Sequence, residues 1–236
     1  MPEKTALPPL QLIYLSRPLR QSKPAGEKPP LLLLLHGVGS NERDLFTLAS
    51  RLPPQFQVLS LRAPLVRAPD SYAWFDVTIL PNDYLINPEQ LQRSRDTVLD
   101  LISQAAVAFD ADPARVYLLG FSQGAILSLT LGLTQPEPIA GIVALAGRIP
   151  AEVQPWAVAP ERTQGLPVFL AHGRLDTVIP FGRAELARDF LEERRVALTF
   201  RPYQTQHRIP PDMLADAVAW LEEQLAAPRW QPNQPM

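Results

Sequence analysis

The chain has 236 residues, a length that suits one domain with a full core and leaves a second one cramped. Hydrophobic residues make up 46% and charged residues 19%, which excludes a disordered chain, and a net charge of −2 without a dense Lys/Arg block removes the footprint of a nucleic-acid binder. The absence of Cys excludes disulfides, thiolate metal sites and Cys nucleophiles together, and three His are too few for a His-rich metal cluster.

The opening Met1-Pro2-Glu3-Lys4 leads into no apolar segment with a small-residue cleavage site. The longest aliphatic run, Leu31–Leu35, falls far short of the ~18 residues that indicate a membrane span, so a soluble, cytoplasmic protein with no integral membrane association is expected. Residues 10–15 read as an outer strand. Leu31–Leu35 is a continuous apolar run of strand length, as a strand covered on both faces should be. Residues 41–51 read as a helix and 58–61 as a short strand. The stretch 62–88 carries Pro64, Pro69, Pro81 and Pro88 and reads as a long surface excursion, a kind of segment that tends to be functional. From 89 to 109 the apolar positions Leu91, Val98, Ile102, Ala105 and Phe109 share one helical face.

Asp112-Pro113 marks a turn before a strand at 115–119, and residues 123–134 are apolar on nearly every side, the signature of a deeply buried helix. A strand follows at 139–146, then a Pro-rich excursion at 148–166 containing Trp156. Further on come a strand at 168–171, a helix at 183–195, a strand at 197–203 and a helix at 211–225, whose Pro210-Pro211 start costs little where an N–H has no partner. A Pro-rich tail occupies 227–236. Strands alternating with helix-length segments predict one α/β domain with a mostly parallel sheet and helices on both faces. In such sheets ligands bind at the carboxyl ends of the strands.

Gly120-Phe121-Ser122-Gln123-Gly124 lies where a strand meets the buried helix, the context of a G-x-S-x-G nucleophile elbow. A sharp turn lifts the hydroxyl above the sheet, and Gly two residues either side removes side chains that would strike the neighbouring strand and helix. The N–H after Ser122 comes from a helix N-terminus, where partial positive charge favours an oxyanion. A Ser hydroxyl needs a base to take its proton. His36 and His172 each follow a strand and precede Gly, and both suit a loop-orienting role. In α/β-hydrolases the chain order is Ser, acid, His, and only His207 leaves room for an Asp after Ser122. Asp176, just past a strand end, is the preferred acid. Asp189 and Glu185 fall mid-helix, and Glu137, Glu152, Glu161, Glu192 and Glu193 are the other carboxylates in the interval. The loop His36-Gly37-Val38-Gly39 supplies a second oxyanion donor, so Val38 and Gln123 form the expected N–H pair.

With these residues assembled, the sequence resembles the phospholipase/carboxylesterase family of α/β-hydrolases, which includes acyl-protein thioesterases. The resemblance runs roughly from Leu31 to Leu225. It rests on Leu35-His36-Gly37-Val38-Gly39, Arg62-Ala63-Pro64, Ala73-Trp74-Phe75-Asp76, Gly120-Phe121-Ser122-Gln123-Gly124, the segment from Gly173 to Pro180, and His207-Arg208-Ile209-Pro210. It implies the α/β-hydrolase fold, a triad of Ser122, Asp176 and His207, an oxyanion hole at Val38 and Gln123, and a Trp74-Phe75 segment lining the acyl cleft. Gln206 stands where the family often has Gly. The implied activity is a serine carboxylesterase acting on small to medium acyl esters, with acyl-protein thioesterase or lysophospholipase as the alternative. A non-catalytic ligand-binding protein of the same fold is a further one. No metal or organic cofactor is required, the partner is a small-molecule ester or thioester, and apolar residues near the cleft (Tyr84, Leu85, Trp156) would suit an acyl chain, a lid or a homodimer contact.

Overall fold

A computed structural model describes residues 9–21, 26–79 and 84–231. Its centre is a seven-stranded sheet built from β1 (Tyr14–Arg17), β2 (Leu31–Leu35), β3 (Gln57–Leu61), β8 (Val116–Phe121), β9 (Ile139–Leu145), β10 (Pro167–Gly173) and β11 (Ala197–Tyr203). The spatial order is β1-β3-β2-β8-β9-β10-β11, and every pairing is parallel except β1 with β3. The five leucines of β2 explain its central position. Leu31, Leu33 and Leu35 pack into the core on one face, Leu32 and Leu34 into the core on the other, and all five are fully buried.

The first face is covered by α2 (Pro88–Ala108), α3 (Gln123–Thr134) and α5 (Phe181–Glu193), and the second by α1 (Arg43–Phe46) and α6 (Pro211–Ala226). Helix α2 starts at Asn87, whose side chain accepts from the Gln90 N–H, with Pro88 in the first turn. All twelve residues of α3 are buried, as its all-round apolarity requires.

Three expectations are corrected. The outer strand begins at Tyr14 rather than residue 10, because its partner β3 is only five residues long and pairing starts at Tyr14 with Leu61. The helix expected over 41–51 is a single α-turn, after which Thr47, Leu48, Ala49 and Arg51 donate to carbonyls three residues back, a tighter winding that ends before Pro53-Pro54. The stretch 62–88 is not simply a surface excursion. It folds into the hairpins β4 (Leu65–Ala68) with β5 (Ser71–Ala73) and β6 (Val77–Ile79) with β7 (Tyr84–Ile86), and Ala73 at the end of β5 and Trp74 and Phe75 just after it are fully buried. Pro81 lies outside the described residues.

The excursion at 148–166 holds a 3₁₀ turn, Gln154–Trp156, and the short α4 (Pro160–Thr163). In the tail, Trp230 packs against the core and donates from Nε1 to the Gln164 carbonyl at 2.8 Å. Among the described residues no helix is long and apolar enough to cross a membrane.

Candidate active site

Strand β8 delivers the chain to Ser122 in a conformation that L-residues rarely adopt, φ +53° and ψ −115°. The strain is tolerated because both neighbours of the turn are fixed: the Ser122 N–H donates to the Leu145 carbonyl of β9 (2.9 Å), and the Ser122 carbonyl accepts the first helical bond from Ile126 (3.1 Å). The turn closes only with glycine on either side. A Cβ on Gly120 would lie 2.3 Å from the Gly124 carbonyl oxygen, and one on Gly124 would lie 1.9 Å from that of Leu35.

Strands β10 and β11 bring the other two groups to the same rim. The Gly173 end of β10 lies so close to the loop after β11 that a Cβ there would sit 2.3 Å from the Thr205 carbonyl oxygen, and the Leu175 N–H donates to that carbonyl at 3.0 Å. The result is a continuous network. His207 Nε2 is 2.9 Å from Ser122 Oγ, and His207 Nδ1 is 2.6 Å from Asp176 Oδ2. The other carboxylate oxygen, Oδ1, accepts from the N–H groups of Val178 and Ile179, both at 2.8 Å. Burial by itself would raise the Asp176 pKa. Hydrogen bonds from His172, His207 and the Ile179 N–H outweigh it and hold the carboxyl far below the ordinary carboxylate range. Asp176 therefore stays ionised, and His207 carries its hydrogen on Nδ1 with Nε2 free to accept from Ser122. Gln206 is accommodated without a left-handed backbone: its φ is not positive, and its side chain is exposed.

The two residues expected to supply oxyanion donors, Val38 and Gln123, line the same cavity as Ser122. Among the described residues neither the Val38 nor the Gln123 N–H has a hydrogen-bond partner, the latter because it heads α3. His36 is a scaffold residue. Its Nε2 accepts from the Ala63 N–H (3.1 Å), which puts the hydrogen on Nδ1 facing the Gly37 carbonyl (2.7 Å), and burial lowers its pKa below the ordinary histidine value. No group of three or more His, Asp or Glu that could hold a metal occurs among the described residues.

A narrow cavity of about 70 Å³ opens beside Ser122. Its walls are mostly apolar: Phe75, Val77, Ile126 and Ile179 are among the lining residues, with Arg148 as the cation in the wall. Of the expected aromatic pair, Phe75 lines this cavity and Trp74 does not. Trp74 is buried beneath it, because its Nε1 donates to the His36 carbonyl at 3.0 Å and turns the indole into the core. Tyr84 lines the cavity; Leu85, which is exposed, and Trp156, which packs against the core, are not among the residues that line it.

The sequence pattern of the phospholipase/carboxylesterase family matches residues 21–225. The chain belongs to the phospholipase/carboxylesterase family. Acyl-protein thioesterase 1 of Mycosarcoma maydis is 30% identical over 230 residues, covering 86% of this chain and 95% of that protein. The crystal structure of esterase PE8 superposes with a TM-score of 0.78 at 29% identity, over 91% of this chain and 99% of that one. The carboxylesterase of Bacillus cereus, at 22% identity and TM-score 0.78, covers 91% of this chain and 95% of its own and shares the α/β-hydrolase fold.

As a member of this family the chain is a serine hydrolase of the carboxylesterase and acyl-protein thioesterase kind. Arg148 was not foreseen in this site, nor were the contacts that Gln123 and Tyr84 make. The Gln123 side chain clamps the segment that walls the cavity, Arg148 donates to the Tyr84 carbonyl at 2.9 Å, and Tyr84 Oη donates to the Val178 carbonyl at 2.8 Å. The place of Gln123 inside the G-x-S-x-G motif and the aromatic character of Tyr84 carried a signal, but neither contact did. Arg148 sits in a loop and Tyr84 at the start of β7, and their approach depends on the fold.

Proposed function

We propose that the protein is a serine carboxylesterase that hydrolyses small to medium acyl esters through an acyl-enzyme. The observation that carries this reading is the hydrogen-bonded series Asp176–His207–Ser122 opening onto the narrow apolar cavity. A volume of about 70 Å³ is small beside the roughly 300–1,000 Å³ of pockets that take drug-sized ligands, which favours a short acyl chain.

In this reading His207 Nε2 takes the Ser122 proton as Oγ attacks the ester carbonyl. The N–H groups of Val38 and Gln123 receive the developing oxyanion, with the α3 N-terminus adding to the field. The imidazolium, held by Asp176, then gives its proton to the departing alkoxide. Water enters, loses a proton to His207 and attacks the acyl-enzyme, and collapse returns Ser122 and frees the acid. No step calls on a metal or an organic cofactor.

The test is hydrolysis of aryl esters of increasing acyl length by the wild type and Ser122→Ala, with fluorophosphonate labelling and peptide mapping. Expected are an adduct on Ser122, a loss of about 10⁵–10⁶-fold in kcat for the alanine variant, and kcat/KM that peaks at short to medium chains. Retained activity in Ser122→Ala would place the chemistry elsewhere. A second reading, thioester hydrolysis, draws on the likeness to the Mycosarcoma maydis thioesterase, since the same groups serve either carbonyl. It predicts higher kcat/KM for an acyl thioester than for the matched oxygen ester.

A further inference from the structure

The carboxylate of Asp176 is approached by two imidazoles, of which the reaction as written uses one. His172, on β10, is completely buried and four residues before Asp176. Its Nε2 lies 2.7 Å from the Ile179 carbonyl oxygen and 3.3 Å from Asp176 Oδ2, the same oxygen that faces His207. Both neighbours are acceptors, so the hydrogen of His172 resides on Nε2. Its Nδ1 is buried and faces no hydrogen-bonding group among the described residues. A phenyl ring of similar size would fill this place without burying an unpartnered nitrogen, so packing alone does not account for a histidine here.

The Nε2–H closes a small circuit. Ile179 donates its N–H to Asp176 Oδ1 and receives His172 on its carbonyl, and Val178 donates to Oδ1 as well. The turn from Asp176 to Ile179 is thereby wrapped round its own carboxylate and tied back to the sheet. Val178 and Ile179 also line the cavity beside Ser122. We propose that His172 is a positioning residue for the acid–base pair: its Nε2–H fixes the Asp176–Ile179 turn and the azimuth of the Asp176 carboxylate, and through them the hydrogen bond that orients His207. This rests on the esterase reading above. A carboxylate held by backbone donors on one oxygen only could still swing Oδ2. A second donor on Oδ2, besides His207, restrains that motion.

Two variants and one spectroscopic measurement test this. His172→Phe keeps ring volume and loses the donor. His172→Gln places an amide N–H near the position of Nε2. Phosphonylation of Ser122 by a short-chain alkyl fluorophosphonate reports activation of the hydroxyl without demanding the full cavity, and circular dichroism reports folding. Expected for His172→Phe is a fall in kcat and in phosphonylation rate of about 10–100-fold, the range typical of groups that orient a reacting side chain, with recovery to within a few-fold in His172→Gln. A folded His172→Phe with wild-type rates overturns the proposal, as does equal impairment of the two variants, since shape rather than the donor would then be what matters.

If His172→Phe does not fold, the wild type and His172→Gln decide. In protein labelled with ¹⁵N-histidine, the His172 Nε2–H resonance is expected to shift when Ser122 is phosphonylated and His207 changes its partner. A resonance that stays unmoved while the adduct forms overturns the coupling. No adduct on Ser122 at all would instead sink the esterase reading, so the two failures are distinct.

Discussion

Gln123 grips the backbone of the segment that walls the cavity: its Oε1 accepts the Trp74 N–H at 2.7 Å, and its Nε2 donates to the Phe75 carbonyl at 2.7 Å. The same residue offers its own N–H beside Ser122, so the elbow and the cavity wall are built as one unit. The Trp74 carbonyl is held from the other side by the Ser94 hydroxyl of α2. Trp74 and Phe75 are completely buried and Gln123 nearly so, and water cannot easily replace the amide. Gln123→Ala leaves one donor and one acceptor of the main chain unpaired. A loss of about 2–4 kcal/mol in urea unfolding is expected, together with a raised KM as Phe75 shifts. A loss below about 0.5 kcal/mol would mean that the clamp is not needed.

Asp176→Asn should keep the fold and lose the chemistry. The two backbone N–H groups of Val178 and Ile179 select the amide oxygen, which leaves the NH₂ facing His207 Nδ1. That nitrogen must then accept, the hydrogen moves to Nε2, and Ser122 faces a donor instead of a base. A fall in kcat of about 10⁴ is expected from the wrong tautomer alone, with an unchanged circular dichroism spectrum. Activity within tenfold of wild type would show that the acid is another residue.

Much of this arrangement can be read along the chain because it is local. The five leucines of β2, the strand Ala197–Tyr203 and the glycines either side of Ser122 are each specified by their own neighbours, and the order Ser, acid, His points to His207 as the candidate base. Trp74 shows where that stops. An aromatic residue in a Pro-rich loop is equally consistent with a cleft wall or a core. The choice here is made by the His36 carbonyl, 38 residues away, and the Gln123 amide, 49 residues away. His172 likewise reads as a strand-end histidine until the turn from Asp176 to Ile179 folds back over it. Non-local hydrogen bonds leave no periodicity to detect.

Gly124 and Gly182 both lie near the start of a helix, and they should respond oppositely to alanine. A Cβ on Gly124 meets the backbone of β2 at 1.9 Å, and neither the central strand nor the elbow can yield that far. Gly124→Ala is expected to lose more than about 4 kcal/mol and to give little folded protein. A Cβ on Gly182 has nothing within 4 Å, and Gly182→Ala should be neutral or stabilise by up to about 1 kcal/mol through the unfolded chain. Thermal melting of the two variants checks both. Comparable melting temperatures would refute the close approach at the elbow.

Arg62 holds Glu42, with Nε and Nη2 at 2.6 and 2.7 Å from the two carboxylate oxygens. The guanidinium also lies over the Tyr72 ring, 4.6 Å from its centroid. The hydrogen bond from Arg62 is the main reason the Glu42 pKa is lowered, and the carboxylate is almost fully buried. Arg62→Leu leaves that buried carboxylate with only the longer 3.8 Å contact to Arg43, and about 2–3 kcal/mol of stability should be lost, whereas the pair Arg62→Leu with Glu42→Leu should recover part of it. Equal destabilisation by the single and double variants in guanidinium unfolding would contradict the pairing.

Stability should fall as the solution is acidified, in two stages set by different groups. Burial lowers the His36 pKa below its ordinary 6.5, since the charged imidazolium would lose its water. Below about pH 6.5 the unfolded chain takes up a proton at this position that the folded chain refuses, so unfolding becomes easier by up to about 1.4 kcal/mol per pH unit until the folded pKa is reached. Asp176 acts lower. Its depressed pKa contributes stability above the ordinary carboxylate value near 3.8, and that contribution is lost as pH falls further and the unfolded chain binds the proton first. Urea midpoints measured between pH 7 and pH 5 should therefore drop, and His36→Gln, which keeps an acceptor for Ala63 and has nothing to titrate, should flatten the slope by about one proton. An unchanged slope in that variant would assign the acid sensitivity of this interval to another group.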